Sequence, residues 1–129
     1  MEIEIKSSKQ LNRIKGNIGE EKAVLFLKDN KYAILQRNFR TSIGEIDIIA
    51  KKDDRIIFVE VKQKQTARYG MPREMVTQAK QRRIKKVAEL YLKINGLLNS
   101  PTRFDVIEIL AENLVHLQGA FWVLLYKEW

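Results

Sequence analysis

Between Gly44 and Lys62 the chain reads GEIDIIA, then KKDDR, then IIFVEVK, two alternating apolar runs around a polar break. Alternation every second residue marks a strand, and a short polar cluster marks a turn, so this stretch predicts a β-hairpin. A turn centred on Asp53-Asp54 sets Lys52 opposite Arg55. Counting outwards sets Asp47 opposite Glu60 and Glu45 opposite Lys62. Asp-Asp is not the strongest hairpin pair, but the register follows if the turn lies there.

Successive side chains of a strand point to opposite faces. In this register Ile46, Ile48, Ala50, Ile57, Val59 and Val61 share one apolar face. The other face carries Ile49 and Phe58 near the turn, then Asp47, Glu60, Glu45 and Lys62. Like charges directly opposite each other destabilise a sheet. Two readings fit that face. One is a two-sided sheet whose charged end is solvated. The other is a divalent cation that removes the repulsion, and Mg²⁺ prefers carboxylate and water oxygens. Lys62 adds an ammonium on the same face, within reach of whatever the carboxylates hold.

The 129 residues fit one domain, 1–129, with residues 1–10 as a short arm that carries no chemistry. There is no cysteine, which excludes disulfides and thiolate metal sites and fits a reducing compartment. The first residues, MEIEIKSSKQLNRIKG, hold no apolar run of the signal-peptide kind, and no window approaches a membrane span. The expectation is a soluble cytoplasmic protein. A formal charge of +8 favours a polyanionic partner, nucleic acid being the common case. Charge alone does not separate an enzyme from a binding module.

Residues 11–30 have helical spacing, with Leu11, Ile14, Ile18 and Leu25 on one stripe and Ala23, Val24, Phe26 and Leu27 making the second half apolar almost all round. Gly16 and Gly19 suggest close approach of another backbone. Glu20 lies on the line of Ala23, Val24 and Leu27. It is either a carboxylate paired with a base at the core edge, or one aimed at the acidic face of the hairpin. Glu21 competes for that role. Tyr32 to Arg40 reads as a strand. Gln63 to Arg73 reads as an exposed loop in which Lys64, Arg68 and Arg73 could reach phosphates, or simply be solvated.

Glu74 to Asn95 reads as a second helix, with Val76, Ile84, Val87, Ala88, Tyr91 and Leu92 on its apolar face and Gly96 as its cap. Arg82, Lys85, Lys86 and Lys93 form a basic stripe, a solvated face or a phosphate contact. Lys80 and Gln81 lead into the apolar face and could point back at the hairpin. Arg103 to Leu110 and Val115 to Leu125 are the last strands. Trp122, Trp129 and the single His116 read as packing and structural residues. A tight hairpin forces an antiparallel pair, and a strand–helix–strand passage permits a parallel neighbour. The fold class is therefore α/β, a mixed central sheet flanked by helices.

Glu20, Asp47 and Glu60-Val61-Lys62 resemble the PD-(D/E)XK nuclease signature, and the element order αβββαβ resembles the restriction-endonuclease-like core. More closely, the chain is similar to the uncharacterised YraN family. The carriers are Gly19-Glu20 with Ala23, Arg37-Asn38-Phe39-Arg40, Gly44-Glu45-Ile46-Asp47, Phe58-Val59-Glu60-Val61-Lys62, Tyr69-Gly70 with Pro72, Lys80-Gln81-Arg82-Arg83 and Arg103-Phe104-Asp105. They span Gly16 to Trp122. Ile46 stands where the superfamily name has Pro, and Gln63-Lys64 where such chains often have a Thr-Arg type pair. Archaeal Holliday junction resolvases share the superfamily core, which implies branched DNA as a substrate and a homodimer.

The resemblance implies a Mg²⁺- or Mn²⁺-dependent endonuclease that hydrolyses phosphodiester bonds in nucleic acid, DNA above all. Asp47, Glu60 and the Val61 carbonyl would hold the metal, with Glu20 binding through water or completing a second site. Lys62 would orient the attacking water or stabilise the phosphorane charge, and Glu45 would hold Lys62 in place. Lys64, Arg68, Lys80, Arg82 and Arg83 are the candidate nucleic-acid contacts. The alternatives are a catalytically inactive nucleic-acid-binding module on the same fold, and an interaction protein whose acidic cluster meets a partner.

Overall fold

The computed structural model describes residues 8–64 and 77–121, with side chains for all of these except residues 8–17 and Lys64. Helix α1 (Ser8–Asp29) leads into strands β1 (Ala33–Arg40), β2 (Glu45–Lys52) and β3 (Arg55–Lys64). Helix α2 (Gln78–Ile94) follows, then β4 (Thr102–Leu110) and β5 (Asn113–Leu117). The five strands make one sheet in the order β1-β2-β3-β4-β5. Every neighbouring pair is antiparallel except β3 and β4, which run parallel and are joined through α2. The αβββαβ order is thus present, with β5 added as an edge. The last described strand, β5, starts at Asn113, two residues earlier than expected, and ends at Leu117; Gly119, with φ +61, turns the chain there, and residues 122–125 of the expected strand lie outside the described residues.

Local signals explain the boundaries. Thr77 caps α2, its hydroxyl accepting from the Lys80 N–H at 3.1 Å. The helix therefore starts four residues later than expected, and Val76 lies outside the described residues. Its far end closes on Gly96 (φ +68), with the Leu97 N–H reaching the Leu92 carbonyl at 2.7 Å. The end of α1 has the same six-to-one closure, Tyr32 N–H to Leu27 carbonyl at 2.9 Å, but there the left-handed position is Lys31, at φ +71. The hairpin turn lies on Asp53-Asp54 as expected. Lys52 faces Arg55, and Asp53 takes the positive φ of +55 that the turn requires.

The sheet is covered on both faces. On one side Ala23, Val24 and Leu27 of α1 pack on Ile48, Ala50, Ile57, Val59, Ile107 and Ile109. On the other, Ile84, Val87, Ala88, Tyr91 and Leu92 of α2 pack on Ile46, Ile49, Ile56, Phe58, Phe104 and Val106. Phe58 is fully enclosed and stacks on Phe104, ring centroids 5.2 Å apart. Burying a side chain of that size contributes about 1.5–3 kcal/mol. On α1, Ile18 and Leu25 are 48% and 54% exposed, so the expected apolar stripe is not the packing face. Leu11 and Ile14 lie outside the described side chains. The packing face is the line of Ala23, Val24 and Leu27.

Ile46 corrects the single unbroken face expected for the hairpin. It belongs to the α2 side, whereas Ile48 and Ala50 belong to the α1 side. The pleat changes sides between them. In the β1–β2 ladder Arg37 faces Ile48 and Phe39 faces Ile46, so Asn38 and Asp47 occupy the break, and Asn38 has φ +51. Phe39 moves to the α2 side with Ile46 and meets Tyr91 edge-on at 5.4 Å.

A buried ionic network fastens β4 to β5 and to the end of α1. Asp105 is 0% exposed. It accepts from Arg103 Nε and Nη2, both at 2.8 Å, and from the Gly119 N–H at 3.0 Å, and it pairs with His116 Nε2 at 2.7 Å. Arg103 Nη2 also donates to the Tyr32 hydroxyl at 2.8 Å, and the His116 ring meets Phe26 and Tyr32 edge-on. His116 is accounted for by this network. Trp122 and Trp129 lie outside the described residues.

Candidate functional site

The β2–β3 ladder runs from Lys52–Arg55 to Ile48–Val59. Narrow hydrogen-bonded pairs alternate along such a ladder, so the next one beyond Ile48–Val59 would join Ile46 to Val61. Instead the Val61 N–H is donated to the Asp47 side chain, at 2.8 Å to Oδ2. The two strands part here, at the position where the pleat of β2 changes sides. A strand residue presents its N–H and C=O on the same edge. The Val61 carbonyl therefore also faces the gap.

Helices α1 and α2 bring charge to this opening from opposite faces of the sheet. Asp47 is pushed up from 3.8 to about 7, first by burial and then by the negative charge of Glu60, with Glu20 and Glu45 adding to it and the Val61 amide opposing it. Glu20 of α1 thus lies within electrostatic reach of Asp47, as one of its two sequence readings expects. Glu21 does not compete for that place. It pairs with Arg37 at 2.9 Å on the exposed side of β1.

Lys80, in the first turn of α2, sets its ammonium 2.6 Å from Glu60 Oε1. Lys62 lies 3.5 Å from the same oxygen. The two lysines thus share one carboxylate oxygen. Burial, then the contact with Lys80, lowers the pKa of Lys62, while Lys80, despite burial, is held above its ordinary value chiefly by Glu60. Of the pair, Lys62 is the amine that gives up a proton more readily. A cleft of about 100 Å³ opens beside them, lined by Gly44, Glu45, Asp47, Glu60, Lys80, Arg83 and Ile84. It is roomy enough for water and is open to solvent.

The structure thus brings Asp47, Glu60, Val61, Lys62 and Lys80 together, with Glu20 near Asp47 and Arg83 on the cleft wall. Arg82 is exposed and is not among the lining residues. The Lys64 side chain, Arg68 and Arg73 lie outside the described residues. Glu45 does not hold Lys62. It pairs with Arg40 at 2.8 Å, because the ladder that would have placed it opposite Lys62 has ended. Gly19 does admit a close neighbour, but that neighbour is the Gln63 side chain, 2.7 Å from where a Cβ would stand, and not a backbone. Gly16 lies outside the described side chains.

Glu108 was not singled out by the sequence. It is nine-tenths buried and stands in register with Lys62 across the parallel β3–β4 ladder. The alternation of RFDVIEIL, with a carboxylate in an apolar strand, was the available signal.

Asp47 and Glu60 are hard oxygen donors, and the Val61 carbonyl faces the same gap. Among the described residues no three carboxylate or imidazole groups converge into a closed cage. A Mg²⁺ site does not require one, since this ion keeps several waters and is held by one or two carboxylates. The pKa of Asp47 is raised first by burial and then by the negative charge of Glu60, Glu20 and Glu45, and a divalent cation would offset that second contribution. On donor chemistry and space, the residues fit such an ion.

The sequence model of the uncharacterised protein family UPF0102 matches residues 19–109. That stretch includes all the residues of the opening. Among curated relatives, a UPF0102 protein of Caldicellulosiruptor saccharolyticus is 51% identical over 94 residues, 73% of this chain and 80% of that one. A UPF0102 protein of Persephonella marina is 44% identical over 108 residues, 84% of this chain and 93% of the relative. A UPF0102 protein of Clostridioides difficile is 46% identical over 112 residues, 85% and 98% of the two chains.

Proposed function

The chain belongs to the uncharacterised protein family UPF0102, the YraN-like group that its motifs resemble, and from its site we propose that it is a metal-dependent endonuclease acting on DNA. The observation that carries this reading is the parting of β2 and β3 around Asp47 and Glu60. Two carboxylates and a backbone carbonyl meet there beside an amine, in a cleft on a chain of charge +8.

Asp47, Glu60 and the Val61 carbonyl would hold Mg²⁺ or Mn²⁺, with Glu20 reaching it through water. When bound, such an ion supplies Lewis acidity, lowering the pKa of water and offsetting the charge of the scissile phosphate. The rest falls to the chain itself. The Val61 amide fixes the Asp47 carboxylate, so its orientation is set before substrate arrives. Lys62 sits beside Glu60 with its proton loosened by burial and by Lys80, which suits it to orient an attacking water and take up a proton. Arg83 offers the cleft wall a guanidinium for a phosphate oxygen. The parting of the strands leaves the site open on one side, where a nucleic-acid backbone could approach.

One observation favours a second reading, a nucleic-acid-binding module without turnover. Glu60 already has two ammonium partners and needs no metal to be neutralised.

The test is incubation of the purified protein with Mn²⁺ and duplex, single-stranded, flap and four-way-junction DNAs, beside Asp47→Ala and Glu60→Ala. Cleavage by the native protein alone is expected. Equal cleavage by native and Asp47→Ala proteins would assign the activity elsewhere. Absence of cleavage together with metal-independent, salt-sensitive binding would favour the binding module.

A further inference from the structure

We infer that Lys80 is a built-in counter-ion of the site, holding Glu60 while the metal is absent and leaving it when a divalent cation binds. The inference rests on the metal-site reading above and goes beyond it, because it makes metal entry an exchange of one cation for another.

The geometry distinguishes the two lysines on Glu60. Lys80 is the closer, at 2.6 Å against 3.5 Å for Lys62. Lys62 is fixed within the same strand as Glu60. Lys80 comes from a different element, at the end of a four-carbon stem rooted in the first turn of α2. Thr77 caps that turn, so the root is rigid while the stem is free to swing. The Lys80 side chain is about a third exposed and lines the cleft together with Asp47 and Arg83. It can move without disturbing the core.

An ammonium within hydrogen-bond distance of Glu60 and a divalent ion held by Glu60 and Asp47 would repel each other across a few ångströms in the same cleft. The repulsion favours one of these arrangements at a time. Once displaced, the Lys80 ammonium reaches the part of the cleft that Arg83 borders, where a phosphate oxygen would give it a new partner. Metal and phosphate then assist each other: the phosphate draws Lys80 off Glu60, and the metal frees Lys80 for the phosphate. By linkage the assistance is reciprocal.

The test is titration of Mn²⁺ into the purified protein by calorimetry, for the native chain, Lys80→Met, Lys80→Gln, Lys80→Arg and Asp47→Ala, with thermal melts in EDTA and in Mn²⁺. Removing the competitor should tighten Mn²⁺ binding by about tenfold or more in Lys80→Met and Lys80→Gln, the scale of one charged hydrogen bond. Lys80→Arg retains the cation and should bind no more tightly than native. In EDTA, Lys80→Met and Lys80→Gln should melt below the native protein, and Mn²⁺ should raise their melting temperatures further than it raises the native one. Two variants guard against a single substitution that fails to fold. Native binding through Asp47, with no tightening in either uncharged variant, would overturn the counter-ion alone. Absence of Mn²⁺ binding in every form, or binding that survives Asp47→Ala, would overturn the metal-site reading and the counter-ion with it.

Discussion

Asp47→Asn should make the metal-free protein more stable at alkaline pH. The folded chain holds a proton on Asp47 up to about pH 7, whereas the unfolded chain gives it up near 3.8. Between those values the folded state binds more protons, so raising the pH through the window costs stability. The shift of about three units sets a ceiling of roughly 4 kcal/mol at about 1.4 kcal/mol per unit. Asp47 borders an open cleft, and solvent there screens the interaction, so about 2 kcal/mol is the better expectation. An Asn in the same place can still accept from the Val61 N–H, so the substitution removes the charge with little change of geometry. The assay is urea unfolding in EDTA at pH 5 and pH 8. The variant should exceed the native protein by about 2 kcal/mol at pH 8, near 8 °C in melting temperature for a chain of this size, and by much less at pH 5. Added Mn²⁺ should close the gap by stabilising the native protein alone. A variant no more stable than native at pH 8, or a difference that does not change between the two pH values, would refute the reasoning.

At the other end of the sheet the sign is reversed. Burial alone would raise the Asp105 carboxyl, but the bonds from His116, Arg103 and the Gly119 N–H outweigh it and hold its pKa below the ordinary value. Its contribution is complete at neutral pH and is lost as pH falls through the folded value. Asp105→Asn leaves Arg103 facing a neutral amide, and should cost about 3–5 kcal/mol and 10–20 °C in a thermal melt, with a weaker acid-unfolding limb by circular dichroism. Lys31→Gly should do the opposite. It relieves a left-handed residue at the end of α1 and should add about 0.5–1 kcal/mol in urea unfolding, leaving any nuclease activity unchanged.

The sequence disclosed those parts of the fold that depend on local periodicity. The hairpin register followed from the turn, and Lys52 does face Arg55. Ile84, Val87, Ala88, Tyr91 and Leu92 follow helical spacing, and they are the buried face of α2. Periodicity failed where the backbone departs from it. Nothing in GEIDIIA announces that the pleat changes sides at Asp47, because the change is shared with Asn38 on a neighbouring strand. The misplacement of Ile46 and of Glu45 follows from that one break. The stripe of Leu11, Ile14, Ile18 and Leu25 has sound helical spacing, but spacing does not say which of two apolar lines meets the sheet. Lys80 was legible as a cation near the hairpin. Its contact with Glu60 was not, since it depends on how α2 crosses the sheet.

The break and the site are the same feature. Were the β2–β3 ladder to continue past Ile48–Val59, the Val61 amide would be committed to the β2 backbone and Asp47 would stand against Glu60 on a closed face. Letting the strands part releases that amide to hold a carboxylate and turns the Val61 carbonyl towards the gap. The cost is visible in Asp47, a half-buried acid whose charge its neighbours oppose. Folding alone gives no reason to gather Glu20, Glu45, Asp47 and Glu60 at one opening and to answer them with an ammonium on a flexible stem. The exchange of cations proposed above does.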